Sequence, residues 1–332
     1  MSRLTKWQAK KIMREHDGNL PLEYSDITKL PKALTVEGYL DLIGTPIQEL
    51  PIGLKVKEYL RLGCTQVTSL PNDLCVGGEL DLSDTEIKEI TSSAISVGIL
   101  NCSNTPLEKL PDNLTVETLG ANGTNLKELP KKLNIIYDLD ISDTQISTIP
   151  EDISIGRDFS ANRTLLEELP NIDFCGDVCL AETLIKTLPK NLTTINGNLD
   201  LEGTPIKTLR NILNVNGCLN LQRTQITALP DNLKVKGSLI INETPIKQLP
   251  NQLNVGELVI SEEQLKSIEF PDDMVCGGYS ADINVGMISG CVFRARHIYI
   301  AYRKDDHFGD LLMSLDDYAE CIYKSKRTYT FY

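Results

Sequence analysis

The side chains that most often perform acid–base chemistry are few in this chain, and they do not form a recognisable catalytic set. The three histidines, His16, His297 and His307, lack an acid and a nucleophile in the order that a catalytic triad uses. His307 follows Asp305 and Asp306, and these residue types could bind a metal or transfer protons. A cap on the loop before a helix is the simpler interpretation of the same three residues. We therefore predict no catalytic residue and no enzymatic activity.

The cysteines are the second group with possible chemistry. There are nine, an odd number, and Cys175 and Cys179 are separated by three residues with no second pair, whereas structural zinc takes four ligands. The first 29 residues are charged and lack the apolar segment of a secretion signal. No apolar run reaches the roughly 18 residues of a membrane span. We expect reduced thiols, no metal, no other cofactor, no membrane partner and a cytoplasmic location.

Most of the chain is a repeat of about 20 residues, and the fold of this repeat must position the candidate side chains. The stretch Leu30–Glu49 reads LPKALTVEGYLDLIGTPIQE, and the stretches 50–69 and 70–89 keep its apolar letters in place. Successive copies begin 19 to 21 residues apart. Their first apolar residues are Leu30, Leu50, Leu70, Ile90, Leu110, Leu129, Ile149, Leu169, Leu188, Leu209, Leu229, Leu249 and a degenerate Phe270. A fixed period of this length predicts a solenoid, in which each unit buries its apolar face against the next.

Each copy contains the phrase L-x-L-x-x-T-x-I-x-x-L-P. In the first copy the alternation of Leu40, Asp41 and Leu42 predicts a short strand with its two leucines turned inward. Thr45 then marks a turn, and Pro51, which has no amide to donate, disfavours a helix on the return. The stacked copies should therefore form a narrow parallel β-sheet on one face.

This phrase resembles the core of the leucine-rich repeat, L-x-L-x-x-N-x-L. The 20-residue period with Leu-Pro is similar to the short bacterial class of these repeats, which occurs in secreted effectors and in phage-linked proteins. The resemblance covers about residues 30–270. It implies an α/β-type repeat solenoid, a leucine-rich-repeat horseshoe with a narrow parallel β-sheet on one face, and a partner bound on that concave sheet face.

The chain departs from this family at one position, where threonine replaces the usual asparagine. The column consists of Thr45, Thr65, Thr85, Thr105, Thr124, Thr144, Thr164, Thr183, Thr204, Thr224 and Thr244, and Glu263 breaks it. In the family the asparagine amide joins neighbouring turns through backbone hydrogen bonds. The resemblance implies that the threonine hydroxyl, which can donate and accept, takes over as an internal ladder. An exposed hydroxyl row, as on ice-binding solenoids, is the alternative.

The two ends of the chain fall outside the repeat. Residues 1–29 should form a helical cap over the first turn, with a helix at 2–17 whose Thr5 and Gln8 fit a capping box. A partner-binding arm is the alternative for this helix. Residues 271–332 should form a small α+β cap, with a strand at 291–303, a helix from Asp310 to Ser325 and a final β-like segment. The repeats at 30–270 lie between these caps.

Acidic side chains are the most abundant candidates for binding. The formal net charge is −13, and residues 30–270 supply all of it. Nucleic-acid binding needs Lys and Arg, so we expect no direct nucleic-acid partner. On the predicted sheet face an acidic group comes from consecutive turns, namely Asp138, Asp140, Asp158, Asp177, Asp200 and Glu202. Tyr39 and Tyr59 beside Arg61 form a second group, of the residue types enriched at binding hot spots.

The sequence thus favours a non-enzymatic scaffold that binds a protein partner on the sheet face, as an effector or inhibitor of a bacterium or its phage. The cytoplasm of the bacterium or of a phage-infected host is the expected location, and secretion as an effector is the alternative. A dense acidic group predicts a partner with a basic or mixed surface. A solvated face that keeps a long sheet dispersed is the alternative for the acidic group. An inhibitor whose acidic columns imitate DNA is a second functional hypothesis. An enzyme housed around His297 and His307 is the third.

Overall fold

The computed structural model describes residues 2–90, 97–209, 214–251, 253–261, 264 and 267–269, and the strands 275–276, 279–283, 298–304 and 307–313. They belong to two compact units, Met1–Leu166 and Glu167–Tyr332, which we call unit 1 and unit 2. Both are parallel β-solenoids, with one short strand of the main sheet in each turn.

The elements of unit 1 are a single described helix and strands of two or three residues. In chain order they are β1 (Ser2–Arg3), α1 (Lys6–Glu15), β2 (Leu20–Pro21), β3 (Ile27–Lys29), β4 (Thr35–Val36), β5 (Leu40–Asp41), β6 (Lys55–Val56), β7 (Leu60–Arg61), β8 (Cys75–Val76), β9 (Glu79–Asp81), β10 (Ile99–Asn101), β11 (Thr115–Val116), β12 (Thr118–Gly120), β13 (Asn134–Ile135), β14 (Leu139–Asp140), β15 (Ser154–Ile155) and β16 (Phe159–Ser160).

The main sheet of unit 1 is parallel and keeps one register throughout. Its order is β2-β5-β7-β9-β10-β12-β14-β16, and each strand pairs the same leucine position with the next turn, as Leu40 pairs with Leu60 and Leu60 with Leu80. A second row of short strands, β4-β6-β8 and β11-β13-β15, lies elsewhere on the same turns. The main sheet begins at Leu20, inside the stretch predicted to be the N-terminal cap.

The core is built from the apolar letters of the repeat. In the first turn Leu40, Leu42 and Ile47 are all fully buried, and their equivalents in later turns are buried as well. Cys102 occupies one of these inward strand positions, and burial raises the pKa of its thiol to about 12. Burial of the same letters in each turn holds the strands in register, because a slip of one residue would turn the leucines to the surface.

Each strand ends in a tight turn that the threonine closes. The residue before the threonine is left-handed in every such turn; Asp143, for example, has φ 58° and Gly44 has φ 67°. The backbone N–H of Thr45 donates to the carbonyl of Leu42 at 3.0 Å, as in a type II turn. A glycine suits the left-handed position best at 44, where an added Cβ would also lie 2.7 Å from the Tyr24 ring.

The threonine hydroxyls bond mainly within their own turns and not, as the resemblance implied, between neighbouring turns. Among the described residues, ten of these buried hydroxyls donate to the carbonyl three residues earlier in their own turn, at 2.6 to 2.8 Å. The hydroxyl is too short to reach past its own turn, whereas an amide is not. Gln264, beside the break in the column, shows this: its Nε2 donates to the carbonyl of Ile241 at 2.7 Å and to the hydroxyl of Thr244 at 3.0 Å, both in the preceding turn.

Unit 2 continues the same construction with longer strands near its end. Its elements are β17 (Val178–Cys179), β18 (Thr194–Ile195), β19 (Leu199–Asp200), β20 (Asn214–Val215), β21 (Leu219–Asn220), β22 (Lys234–Ile240), β23 (Asn254–Ser261), β24 (Val275–Cys276), β25 (Tyr279–Ile283), β26 (Ile298–Lys304) and β27 (His307–Met313). The main sheet runs β17-β19-β21-β22-β23-β25-β26 in parallel, and β27 closes it antiparallel to β26.

The C-terminal elements differ in part from the prediction. β26 agrees with the strand composition of residues 291–303, but residues 310–313 belong to β27, not to a helix starting at Asp310. Pairing with β26 supplies hydrogen bonds from Met313 back to His307, and tertiary pairing of this kind overrides a weak helical periodicity. The rest of the predicted helix and the final β-like segment lie outside the described residues.

The N-terminal helix is confirmed, with shorter bounds. The Thr5 hydroxyl accepts the N–H of Gln8 at 3.2 Å, and the Gln8 side chain accepts the N–H of Thr5 at 2.9 Å, which is the predicted capping box. The helix begins only at Lys6 because Ser2 and Arg3 form a strand that pairs with β3. Gly18, with φ 89°, follows the end of the helix and donates its N–H to the carbonyl of Met13.

Candidate functional site

Two positions on each strand of the main sheet carry the candidate residues. We call the residue before the first inward leucine the start position and the residue between the two inward leucines the middle position. In the first two turns Tyr39 and Tyr59 are at start positions, and Asp41 and Arg61 are at middle positions. Because the strands pair in register, residues at one position lie side by side along the sheet.

The first group, which we call cluster 1, consists of Tyr39, Tyr59, Arg61 and Asp41. The two tyrosine rings stack with centroids 4.8 Å apart and planes 5° from parallel, a separation that equals the strand spacing. The Arg61 guanidinium lies 4.7 Å from the centre of the Tyr59 ring and 3.7 Å from the Asp41 carboxylate. Burial raises the pKa of Tyr59, and the Arg61 charge opposes that rise. The Tyr59 ring and the Asp41 carboxylate therefore contact the Arg61 guanidinium from two sides.

The second group, which we call cluster 2, consists of Tyr137, Asp138, Arg157 and Asp158. The Arg157 guanidinium forms a two-pronged ion pair with Asp138, with Nε donating to Oδ1 at 2.7 Å and Nη2 donating to Oδ2. It also lies 3.6 Å from Asp158 and 5.5 Å from the centre of the Tyr137 ring. The hydrogen bond from Arg157 lowers the pKa of Asp138. The Tyr137 side chain remains 46% exposed.

The acids at middle positions have a different role. Asp140 Oδ1 accepts the N–H of Ser142 at 2.9 Å, and Asp200 Oδ1 accepts the N–H of Glu202 at 3.0 Å. Burial raises the pKa of Asp200, and the backbone hydrogen bond opposes the rise. The same bond to the residue two positions later is made by Asp41, Asp81, Asn101 and Asn220. These side chains cap the turn that follows their strand.

In unit 2 the remaining predicted acids are also engaged. Asp177 accepts two hydrogen bonds from Asn198, from its backbone N–H at 2.7 Å and its side-chain amide at 3.0 Å. Glu202 accepts Arg223 at 2.8 Å and the amide of Asn220 at 3.1 Å. Joining of adjacent turns, expected of the threonines, is thus performed in part by start positions such as Asp177.

The six acids of the predicted group are consequently not one set of unengaged carboxylates. Asp138, Asp140 and Asp158 belong to unit 1, and the other three belong to unit 2. Each unit supplies arginines or backbone N–H groups to its own acids, as Arg157 and Ser142 do for Asp138 and Asp140. Whether any of these nine predicted residues contacts a partner stays a prediction.

Sequence reasoning missed Tyr137 and Arg157, although the repeat contains a signal for them. The residue before the start position is glycine in most turns, namely Gly38, Gly78, Gly98, Gly176, Gly197, Gly217, Gly237 and Gly256. A Cβ on Gly197 would lie 2.8 Å from the backbone nitrogen of Asp177, so this position favours glycine on packing grounds. Glu58 and Glu117 replace that glycine singly, whereas Tyr137 and Arg157 replace it in two successive turns, and this pair of turns is the signal in the sequence.

Two solved structures are similar to this chain. One is described as YopM, a leucine-rich effector protein from Yersinia pestis, with 18% identity and a TM-score of 0.49 over 81% of this chain and 91% of that one. The other is YopM from Yersinia enterocolitica, with 15% identity and a TM-score of 0.41 over 78% of this chain and 77% of that one. Identities and TM-scores this low carry no information on what the chain binds. No protein-family model and no curated protein sequence matches the chain.

None of the helices among the described residues is long and apolar enough to cross a membrane. Within that same part of the chain, no group of three or more His, Cys, Asp or Glu side chains is placed to hold a metal ion. The arrangements with chemistry suited to recognition are clusters 1 and 2.

Proposed function

We propose that the chain is a non-enzymatic scaffold that binds a protein partner through clusters 1 and 2 on the main sheet of unit 1. The observation that carries the proposal is the repeated pairing of an arginine with a tyrosine ring and an aspartate, at Arg61 and again at Arg157. Tyrosine and arginine are the types enriched among residues that dominate binding energy. Both arginines are held in place by neighbours, so less side-chain entropy is lost on binding.

The separation of the two clusters suits a protein-sized partner. Four strand spacings lie between the turn of Tyr59 and the turn of Tyr137, which is about 19 Å. A standard interface covers roughly 800 Å² on each partner, so one partner can span both clusters. The half-exposed Ile99, on a turn between them, adds an apolar side chain at a start position.

The chemistry of the partner follows from what the clusters leave unsatisfied. Arg157 already neutralises Asp138, so a purely basic partner would gain little there. A partner of mixed charge, with carboxylates for the guanidinium edges and apolar side chains for the tyrosine faces, fits both clusters. The basic partner, the bacterial or phage origin and the cytoplasmic location stay predictions from the sequence. The DNA-imitating inhibitor would need a row of unengaged carboxylates, and no observation favours it.

The test is capture of partners by matched variants of the full chain. Tyr59→Ala with Arg61→Ala removes the centre of cluster 1, and Tyr137→Ala with Arg157→Ala removes that of cluster 2. The control, Lys55→Ala with Ser154→Ala, alters exposed residues of the second row of strands. A partner that the native chain and the control retain, and that both cluster variants lose, supports the proposal. Equal capture by all four proteins contradicts it.

A further inference from the structure

The helix α1 presents a basic surface that the proposed docking site does not use. With 3.6 residues per turn, the side chains at 6, 7, 10, 11 and 14 fall within an arc of about 140°. Four of them are Lys6, Lys10, Lys11 and Arg14, and all are exposed. The fifth, Trp7, is 71% exposed, although tryptophan is a side chain that folding normally covers. The opposite side, at Ala9, is fully buried.

The charge of this surface is opposite to that of the rest of the chain. Residues 3–14 contain five basic residues and no acidic one, whereas the other 28 basic and 46 acidic residues give the remainder a formal charge of −18. Lys11 lies 4.0 Å from Glu15 and 5.9 Å from the Trp7 ring. Among the described residues, no carboxylate forms an ion pair with Lys6, Lys10 or Arg14. The basic side chains are thus available to an anion from outside.

We propose that this face of α1 binds anionic phospholipid headgroups at a membrane surface. Clusters of four to eight basic side chains on a helix attract anionic lipids, and four lie on this face of α1, with Arg3 in the strand just before it. An indole has an apolar body and one polar N–H, so tryptophan is favoured at the headgroup level of a bilayer. An acidic protein would satisfy the same charges. However, among the described residues of α1, Trp7 is the single large apolar side chain in the exposed class, and a protein interface would surround it with others.

Binding of this kind is peripheral and electrostatic. The apolar side of α1 packs on the protein through Ala9 and so cannot enter the bilayer. The acidic remainder of the chain is repelled by the same lipids, which keeps the affinity modest. Salt screens the attraction of the basic face, so binding should weaken as the ionic strength rises. This surface departs from the expectation, drawn from the sequence, that the chain has no membrane partner. It does not depend on clusters 1 and 2.

The test uses the full chain with vesicles of phosphatidylcholine alone or with about 30% phosphatidylserine, at low salt. Because Trp7 is the single tryptophan of the chain, its emission reports directly on this face. We expect the chain to sediment with the vesicles that contain phosphatidylserine and not with those of phosphatidylcholine alone. Binding should shift the Trp7 emission to the blue, and high salt should reverse both effects. Each basic residue near an anionic surface is worth about a fivefold change in affinity. Lys6→Gln with Lys10→Gln should therefore weaken binding about 25-fold.

Controls separate this proposal from its rivals. Lys131→Gln with Lys132→Gln removes the same charge from exposed residues of the solenoid and should leave vesicle binding unchanged. Trp7→Phe should keep sedimentation, and Trp7→Ala should weaken it. Three results overturn the proposal: no sedimentation with phosphatidylserine vesicles, equal losses in the two lysine variants, or binding to polyglutamate as tight as to lipid. The last would indicate an acidic protein as the partner.

Discussion

The start and middle positions lie side by side on the main sheet, yet they carry different kinds of chemistry. The Asp and Asn side chains at middle positions repeat one solution: Asp81, Asn101, Asp140 and Asn220 all accept the backbone N–H two residues later. Start positions vary more: Asn19, Asp138, Asp177 and Asn198 accept the start-position N–H of the next turn, whereas Tyr39, Tyr59 and Ile99 have side chains that cannot. Hydrogen bonds that recur from turn to turn are explained by the needs of the backbone, whereas side chains that interrupt the pattern need another explanation. Arg61 is an example: it stands at a middle position in place of Asp or Asn, and its guanidinium contacts the Tyr59 ring in cluster 1.

The largest effect on the structural side is expected at a threonine that closes a turn. Thr144→Val removes the hydroxyl that donates to the Ile141 carbonyl at 2.7 Å and should cost about 1–3 kcal/mol of unfolding free energy. Thr65 is the matched control, since its buried hydroxyl has no hydrogen-bond partner among the described residues. Thr65→Val should be neutral or stabilising. Urea denaturation of the two variants measures the contrast, and equal losses would show that the hydroxyl bond is not what matters.

The next prediction concerns partner binding. Arg61→Asn replaces the arginine at a middle position with a residue type that caps the turn in other copies of the repeat. Asparagine occupies the equivalent position in Asn101 and Asn220, where it caps the turn, so stability should change by less than about 0.5 kcal/mol. Loss of a hot-spot arginine should weaken the affinity for the captured partner by about 2 kcal/mol, or about 30-fold. Isothermal titration and denaturation midpoints measure the two effects. An unchanged affinity would remove Arg61 from the site.

A smaller effect is expected at a middle position that follows the common pattern. Asp140→Ala leaves the Ser142 N–H without its acceptor and should cost about 1 kcal/mol. Asp140→Asn keeps an acceptor oxygen and should have nearly native stability and native partner affinity. If the asparagine variant loses the partner while remaining stable, the charge of Asp140 belongs to the interface and the division between the two positions fails there.

The smallest effect concerns the ion pair of cluster 2. Arg157 lowers the folded-state pKa of Asp138, so the pair stabilises the fold above the unfolded pKa of about 3.9 and loses this contribution as the pH falls through the folded value. Between about pH 5 and pH 2 the native chain should therefore lose more stability than Asp138→Asn. Arg157→Gln should reduce the acid dependence in the same way. High salt should shrink the difference, because both side chains are partly exposed.

The period of the sequence was sufficient to predict the backbone of the described turns. The inward position of Cys102 and the burial of Leu40, Leu42 and Ile47 follow from it, as does the parallel register. Burying a leucine stabilises the fold by about 2 kcal/mol. Because the same positions are buried in turn after turn, a different strand register would expose these leucines and be far less stable. The capping box at Thr5 was predictable for a similar reason, because its two bonds are local in the sequence.

Tertiary structure decided how the polar side chains are paired. Arg157 and Asp138 are 19 residues apart, and only the stacking of their turns brings them together. The sequence also could not show that Thr144 bonds within its own turn, or that β26 would draw residues 310–313 into a strand. Each exposed polar contact contributes about 1 kcal/mol or less, and several partners compete for each side chain. Pattern alone therefore determines which residues are buried, while the geometry of neighbouring turns determines which exposed ones meet.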